Sequence, residues 1–335
     1  MQDKASAGHL TNRHRATKVS FFRRATHTTI WVWFWDVAAA GAVVLCVVSV
    51  VVRLTVRDSR AGLALFYYTL PPAVLTPLLI SAGSVWLWKK RCLAGVFCWV
   101  LGAACVLWWS HSACFYHPTA HDPSCPRVAF WNVAHGVAGR DAIYRQIAEL
   151  NADLIGLVEA DRAFRSNDEV WRQRFPEYAV SAGPHGLVVL VRGIILKSDF
   201  VYLGNHGWCK TAIVNIDGKQ LDVLLVDLLS APLTKRRGHF EELSKVLNLA
   251  PKRPTLIMGD FNTPADSVFF EPLRRQYRNA FESAGTGYYA TWPIPLPVLA
   301  LDQVWASSAI EIRYCRLGWT WRSDHRPIIA ELQIP

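Results

Sequence analysis

Five short segments of the 335-residue chain begin or end in side chains able to do chemistry. Asn132 closes the apolar run in VAFWNVAHG, Glu159 ends LIGLVEA, and TLIMGDFNTP carries Asp260 and Asn262. Leu301-Asp302-Gln303-Val304 opens a late apolar stretch, and WRSDHRP holds Asp324 and His325. Carboxylates and imidazoles accept and deliver protons, and carboxylate and amide oxygens bind hard cations. Taken singly, each has an ordinary role as well: a terminal Asp or Asn caps a turn or helix, and a lone His sits on a surface or in a satisfied core. Polar residues at the ends of apolar strands, however, converge at one rim of a sheet, where sites are built.

Positioning them requires alternating strands and helices, and residues 127–335 read that way. Arg127 to Asn132 and Leu154 to Val158 are apolar strands, with a helix between them from Asp141 to Leu150 that gathers Ile143, Ile147 and Leu150 on one face. Leu187 to Val191, Ala212 to Ile216, Leu221 to Leu225 and Thr255 to Met258 follow as strands. Asp217-Gly218 supplies a hairpin turn, and Phe240, Leu243 and Leu247 mark a helix over Arg237 to Leu249. The alternation specifies one α/β domain with no internal repeat.

The N-terminal third has a different composition. Ile30 to Val52 carries a single charge, Asp36; Gly62 to Trp88 carries none; Cys92 to Tyr116 carries only His111. Each run is long enough as a helix to cross a hydrocarbon core of about 30 Å, which predicts three transmembrane helices in residues 30–116. Asp36 lies near an interface, and Pro71, Pro72 and Pro77 should kink the second span. The chain has a formal charge of +10, and residues 1–125 hold twelve of the 36 Lys and Arg but only four of the 26 Asp and Glu. The basicity therefore serves the membrane segment, and residues 126–335 are nearly neutral. Six basic residues in the leader 1–29 and three at Lys89 to Arg91 oppose three at Arg53, Arg57 and Arg60. That asymmetry puts the leader in the cytoplasm and, after three spans, the C-terminal domain outside it. Residues 117–126, with Pro118, Pro123 and Pro126, read as a stiff linker. Cys125, Cys209 and Cys315, the three cysteines beyond the spans, support neither a disulfide framework nor a zinc site.

The five segments, in this order, resemble the endonuclease/exonuclease/phosphatase superfamily, the magnesium-dependent phosphodiesterases that include DNase I, the AP endonucleases, neutral sphingomyelinases and inositol-phosphate phosphatases. GDFN and SDHRP carry the resemblance most specifically, and Thr291-Trp292-Pro293 ahead of Asp302 is similar to a bacterial membrane-tethered branch. The resemblance covers residues 127–335 and implies a DNase I-like four-layer α/β sandwich, here preceded by three transmembrane helices. It implies Mg²⁺, with Mn²⁺ as a substitute, held by Glu159 and Asn132 with Asp324 as a further metal-side or His-orienting carboxylate. Asp260 then matches the base, Asn262 the donor to the phosphoryl oxygen, His325 the phosphate-binding or proton-donating imidazole, and Asp302 the residue holding its tautomer. These roles suit the chemistry, because hydrolysing an anionic phosphate ester needs a hard cation and an oriented, deprotonated water.

The chain departs from the family at two places. Many members carry a second His after the hairpin, where this chain reads Val226-Asp227-Leu228-Leu229-Ser230, so that Asp227 or Leu229 takes its place; Val158 stands where many have Gln. His185, His206 and His239 read as solvated surface residues, and Lys235 to Arg237 as a solvated helix start or a phosphate track. The expectation is a multi-pass inner-membrane phosphoesterase whose partners are the bilayer and a small or lipid-borne phosphodiester or phosphomonoester. Nucleic acid is not favoured by the near-neutral domain. The alternatives are an extracytoplasmic nuclease and a tethered binding module that has lost turnover.

Overall fold

The computed structural model describes residues 31, 33–118, 121–161, 167–249 and 253–335; the basic leader lies outside them. The chain divides into two compact units, residues 1–50 with 72–106 and residues 51–71 with 107–335. Four apolar helices run from Trp33 to Ala113. Helix α1 (Trp33–Thr55) and α4 (Cys92–Ala113) are each long and apolar enough to span a membrane. The uncharged run expected as one kinked helix is instead a pair, α2 (Ala61–Thr69) and α3 (Pro72–Trp88), bent by 70°. Pro72 opens α3, and its missing N–H and fixed φ end the preceding helix. Pro77 is accommodated inside α3. Helices α3 and α4 approach closely through glycines: a Cβ on Gly83 would lie 2.8 Å from the Gly95 carbonyl, and one on Gly95 would lie 2.9 Å from that of Gly83. Asp36 pairs with Lys89 at 2.9 Å and Arg91 at 3.4 Å, which neutralises the one acid of the first apolar run.

The second unit is built from strands β1 (Cys114–Tyr116), β2 (Arg127–Asn132), β3 (Leu154–Val158), β4 (Ala179–Ala182), β5 (Val188–Val191), β6 (Ile194–Tyr202), β7 (Trp208–Ile216), β8 (Lys219–Asp227), β9 (Thr255–Asp260), β10 (Tyr277–Asn279), β11 (Thr286–Tyr288), β12 (Asp302–Ser307), β13 (Glu311–Leu317) and β14 (Ile328–Gln333). They form two six-stranded sheets, ordered β13-β14-β2-β3-β5-β4 and β10-β12-β9-β8-β7-β6, while β1 pairs with β11. Side chains alternate along each strand, so one face of each sheet meets the other sheet and the opposite face takes helices. Val128, Phe130, Leu154 and Val189 meet Val223, Leu225, Leu256 and Met258 in the central core. Ala129, Trp131, Ile155 and Leu157 pack beneath α5 (Arg140–Leu150) and α6 (Asp168–Arg174). Leu224, Val226, Ile257 and Trp305 pack beneath α7 (Arg236–Leu249). The result is helix, sheet, sheet, helix, the four layers the sequence resemblance implied.

Sheet register brings the chemistry to one rim. Strands β2 and β3 run parallel with Asn132 opposite Val158, one residue before Glu159. Strands β8 and β9 run parallel with Asp227 opposite Asp260, and β12 runs antiparallel to β9 with Asp302 opposite Asp260.

Candidate active site

Asp260 is the hub. Its carboxylate is 1% exposed, Oδ1 accepts the Asn262 backbone N–H at 2.8 Å, and Oδ2 accepts the Asn132 amide at 2.9 Å. His325 Nε2 lies 3.8 Å from the same Oδ2, and His325 Nδ1 is 2.7 Å from Asp302 Oδ2. One ligand atom each from Asp260, Asp302 and His325 falls within 4.8 Å of the others, a buried cluster able to hold a metal ion. Burial and the neighbouring Asp302 charge push the Asp260 carboxyl up to about 7, against the lowering effects of His325 and the two donors. Burial alone would lower the His325 imidazole, yet the Asp302 and Asp260 charges outweigh it and raise it to about 10. The site therefore holds an imidazolium at neutral pH beside a carboxylate that titrates there.

The backbone around these groups is fixed by its own hydrogen bonds. Ser323 Oγ donates to the Asn132 carbonyl and accepts the His325 N–H, while the Trp131 indole donates to the His325 carbonyl. Thr291 Oγ1 accepts the N–H groups of Leu301 and Asp302, which gives the Thr-Trp-Pro segment a direct part in seating Asp302. Asn262, in the left-handed region with φ 46°, donates its side-chain amide to the Leu228 carbonyl.

Glu159 follows β3 with φ 56°, a quarter exposed, and its Oε2 lies 3.3 Å from His135 Nε2. Asp324 is not drawn into the cluster: its exposed carboxylate accepts the Trp292 indole N–H at 2.9 Å. Three residues join the rim that the five segments did not mark. His135 bridges Glu159 and Asp161, with Nδ1 2.7 Å from Asp161 Oδ1. Asp227 ends β8 opposite Asp260, and removal from water together with the Asp260, Glu159 and Asp161 charges pushes its carboxyl well up. Its position at a strand end was the signal for it; nothing in the spacing of His135 pointed to Glu159. Two sequence expectations change here. His239 is 1% exposed, with Nε2 3.1 Å from the Asn205 carbonyl, and Arg236 is 2% exposed, so neither is solvated.

These residues fit a hard divalent cation on two grounds: the donors at the rim are mostly carboxylate oxygens, and Asp302 Oδ1 is buried with no hydrogen-bond partner among the described residues. The Asp302–His325 bond already occupies Nδ1 of the imidazole, which favours an acid–base role for that pair.

Comparison with known proteins agrees with the fold. The profile of the Endonuclease/Exonuclease/phosphatase family matches residues 129–325. Among solved structures, an endonuclease/exonuclease/phosphatase from Bacteroides vulgatus superposes with a TM-score of 0.54 at 17% identity, over 63% of this chain and 100% of that one. A Bacteroides thetaiotaomicron mannosyl-6-phosphatase gives 0.50 at 15% identity, over 62% and 100%. D. rerio TDP2 complexed with a single-strand DNA product gives 0.51 at 15% identity, over 63% and 99%. At such identities these likenesses concern the fold. No curated protein matches the chain in sequence.

Proposed function

The chain belongs to the endonuclease/exonuclease/phosphatase family, and from that premise we propose that it is a membrane-anchored, divalent-metal-dependent phosphoesterase whose catalytic domain lies outside the cytoplasm. The observation that carries the reading is the buried Asp260–Asp302–His325 cluster at the rim shared by both sheets. Asp302 fixes the imidazole through Nδ1 and leaves Nε2–H free to donate to a phosphoryl oxygen or a leaving group. Asp260, held at both oxygens and titrating near neutrality, accepts the proton of the attacking water. Asn262 spends one amide N–H on Leu228 and keeps the other for the developing phosphoryl charge. Glu159 and Asn132 would hold Mg²⁺ or Mn²⁺, which polarises a phosphoryl oxygen and lowers the pKa of a bound water. Asp324 supports the rim through Trp292 in this reading.

The near-neutral domain favours a small or lipid-borne phosphate ester over nucleic acid, since phosphate-backbone binding rests on Lys and Arg contacts. The test is hydrolysis of bis(p-nitrophenyl) phosphate by the full chain in detergent, with and without EDTA. A screen over phospholipids, sugar phosphates and single-stranded DNA follows. EDTA-sensitive turnover supports the reading; a full chain inert with Mg²⁺ and Mn²⁺ leaves a binding module. Preference for DNA would move the protein to the nuclease reading.

A further inference from the structure

Residues 53–70, from the end of α1 through helix α2, pack as part of the catalytic unit. Asp58 is 2% exposed, and its carboxylate accepts from the Tyr68 hydroxyl at 2.9 Å, the Ser267 hydroxyl at 2.5 Å and the Val268 N–H at 3.2 Å. Arg53, also buried, donates to Asp266 Oδ2 and to the Tyr67 carbonyl, each at 2.6 Å, with its guanidinium 4.0 Å over the Tyr67 ring. Arg57 reaches Glu271 at 3.2 Å. A buried carboxylate with three donors and a buried guanidinium with an acid and a carbonyl are costly to assemble and costly to break, which separates this contact from incidental packing.

Both ends of the contact lead to the rim. Ser267 and Asp266 sit a few residues beyond Asn262 on the loop that leaves β9. On the other side, the Tyr68 hydroxyl meets the guanidinium of Arg236, which donates to the carbonyls of Leu229 and Ala231 in the loop that leaves β8. That loop begins at Asp227 and supplies the Leu228 carbonyl that Asn262 holds. The two loops thus share one anchor, formed by Asp58, Tyr68 and Arg236.

We propose that residues 53–70 are a positioning element of the catalytic domain, in which Asp58 and Tyr68 set the two loops bearing Asp227 and Asn262, so that full turnover requires this segment. The proposal rests on the phosphoesterase reading only for its kinetic consequence. Tyr68→Phe keeps the ring and removes the hydroxyl that links Asp58 to Arg236; Asp58→Asn keeps the shape and removes the charge. In the full chain in detergent, hydrogen exchange should quicken at residues 228–236 and 262–271 in both variants, with protection of β2, β8 and β9 unchanged. For Tyr68→Phe, kcat on bis(p-nitrophenyl) phosphate should fall about ten- to hundredfold with KM little changed, as expected for misplaced reacting groups. Unaltered loop exchange in Tyr68→Phe overturns the proposal, and so does quickened exchange with kcat intact, because the contact is then packing alone. Should Asp58→Asn fail to fold, Tyr68→Phe still decides. If the wild-type chain proves inactive, the phosphoesterase reading falls, and loop exchange alone judges the positioning.

Discussion

Asp260 and His325 are both driven upward by a shared neighbour. Asp302 raises both: it repels the Asp260 carboxylate and attracts the His325 imidazolium. A base lifted from 3.8 to about 7 is active above that pH, and an acid lifted from 6.5 to about 10 is active below it. Activity should therefore rise through about pH 7 and fall through about pH 10, read from a kcat/KM profile. In Asp302→Asn the alkaline limb should move down, since the charge sustaining the imidazolium is gone; an unmoved limb would detach His325 from it. Glu159→Gln keeps size and hydrogen bonding but removes the charge expected to hold Mg²⁺, so it should fold normally and bind Mn²⁺ poorly by titration calorimetry. His325→Ala should retain Mn²⁺ binding while turnover drops roughly a hundredfold to ten-thousandfold. Full metal affinity and full activity in Glu159→Gln would remove it from the metal site.

At the scale of elements, Gly156 shows how closely the two sheets approach. A Cβ there would lie 2.4 Å from Met258 Sδ and 2.9 Å from Leu225 Cδ1, both far ends of flexible side chains. Gly156→Ala should destabilise by about 1–3 kcal/mol, and Met258→Val in the same chain should recover part of it, checked by thermal unfolding of the double-mutant cycle. Strands buried on both faces, such as β2, β3 and β9, were legible as continuous apolar runs, and Asp217-Gly218 was legible as the turn joining β7 to β8. Strands β6 and β13 were not, because both alternate toward solvent with Lys197, Asp199, Arg313 and Arg316 among their residues. In the site, residues at strand ends could be found from local pattern. His135 and Arg236 could not, since the first depends on a left-handed backbone at φ 54° and the second on a partner, Tyr68, far away in sequence. Periodicity also missed the break at Pro71-Pro72, where composition is uniformly apolar and only proline geometry interrupts the helix.

Across the whole molecule, if the apolar helices span a bilayer, two contacts constrain how the chain threads it. Asp36, near the start of α1, pairs with Lys89 and Arg91 between α3 and α4, so those two points share a side. Arg53 and Asp58, at the end of α1 and just after it, bond to Asp266 and Ser267, so the first inter-helix segment shares a side with the catalytic domain. Each condition needs an even number of crossings between the paired points. That holds only if the bent α2–α3 pair crosses once; a re-entrant pair would leave the first segment and the domain separated by the single crossing of α4. If the loop charges set the direction, the basic Lys89–Arg91 loop faces the cytoplasm and the domain faces away from it. The native cysteines provide the test, since Cys92, beside the basic loop, and Cys114, at the start of β1, are both free and exposed. In intact cells a membrane-impermeant maleimide should label a chain retaining only Cys114 and spare one retaining only Cys92, with both labelled after permeabilisation. Labelling of Cys92 alone in intact cells would invert the orientation, and labelling of both would mean that α4 does not cross.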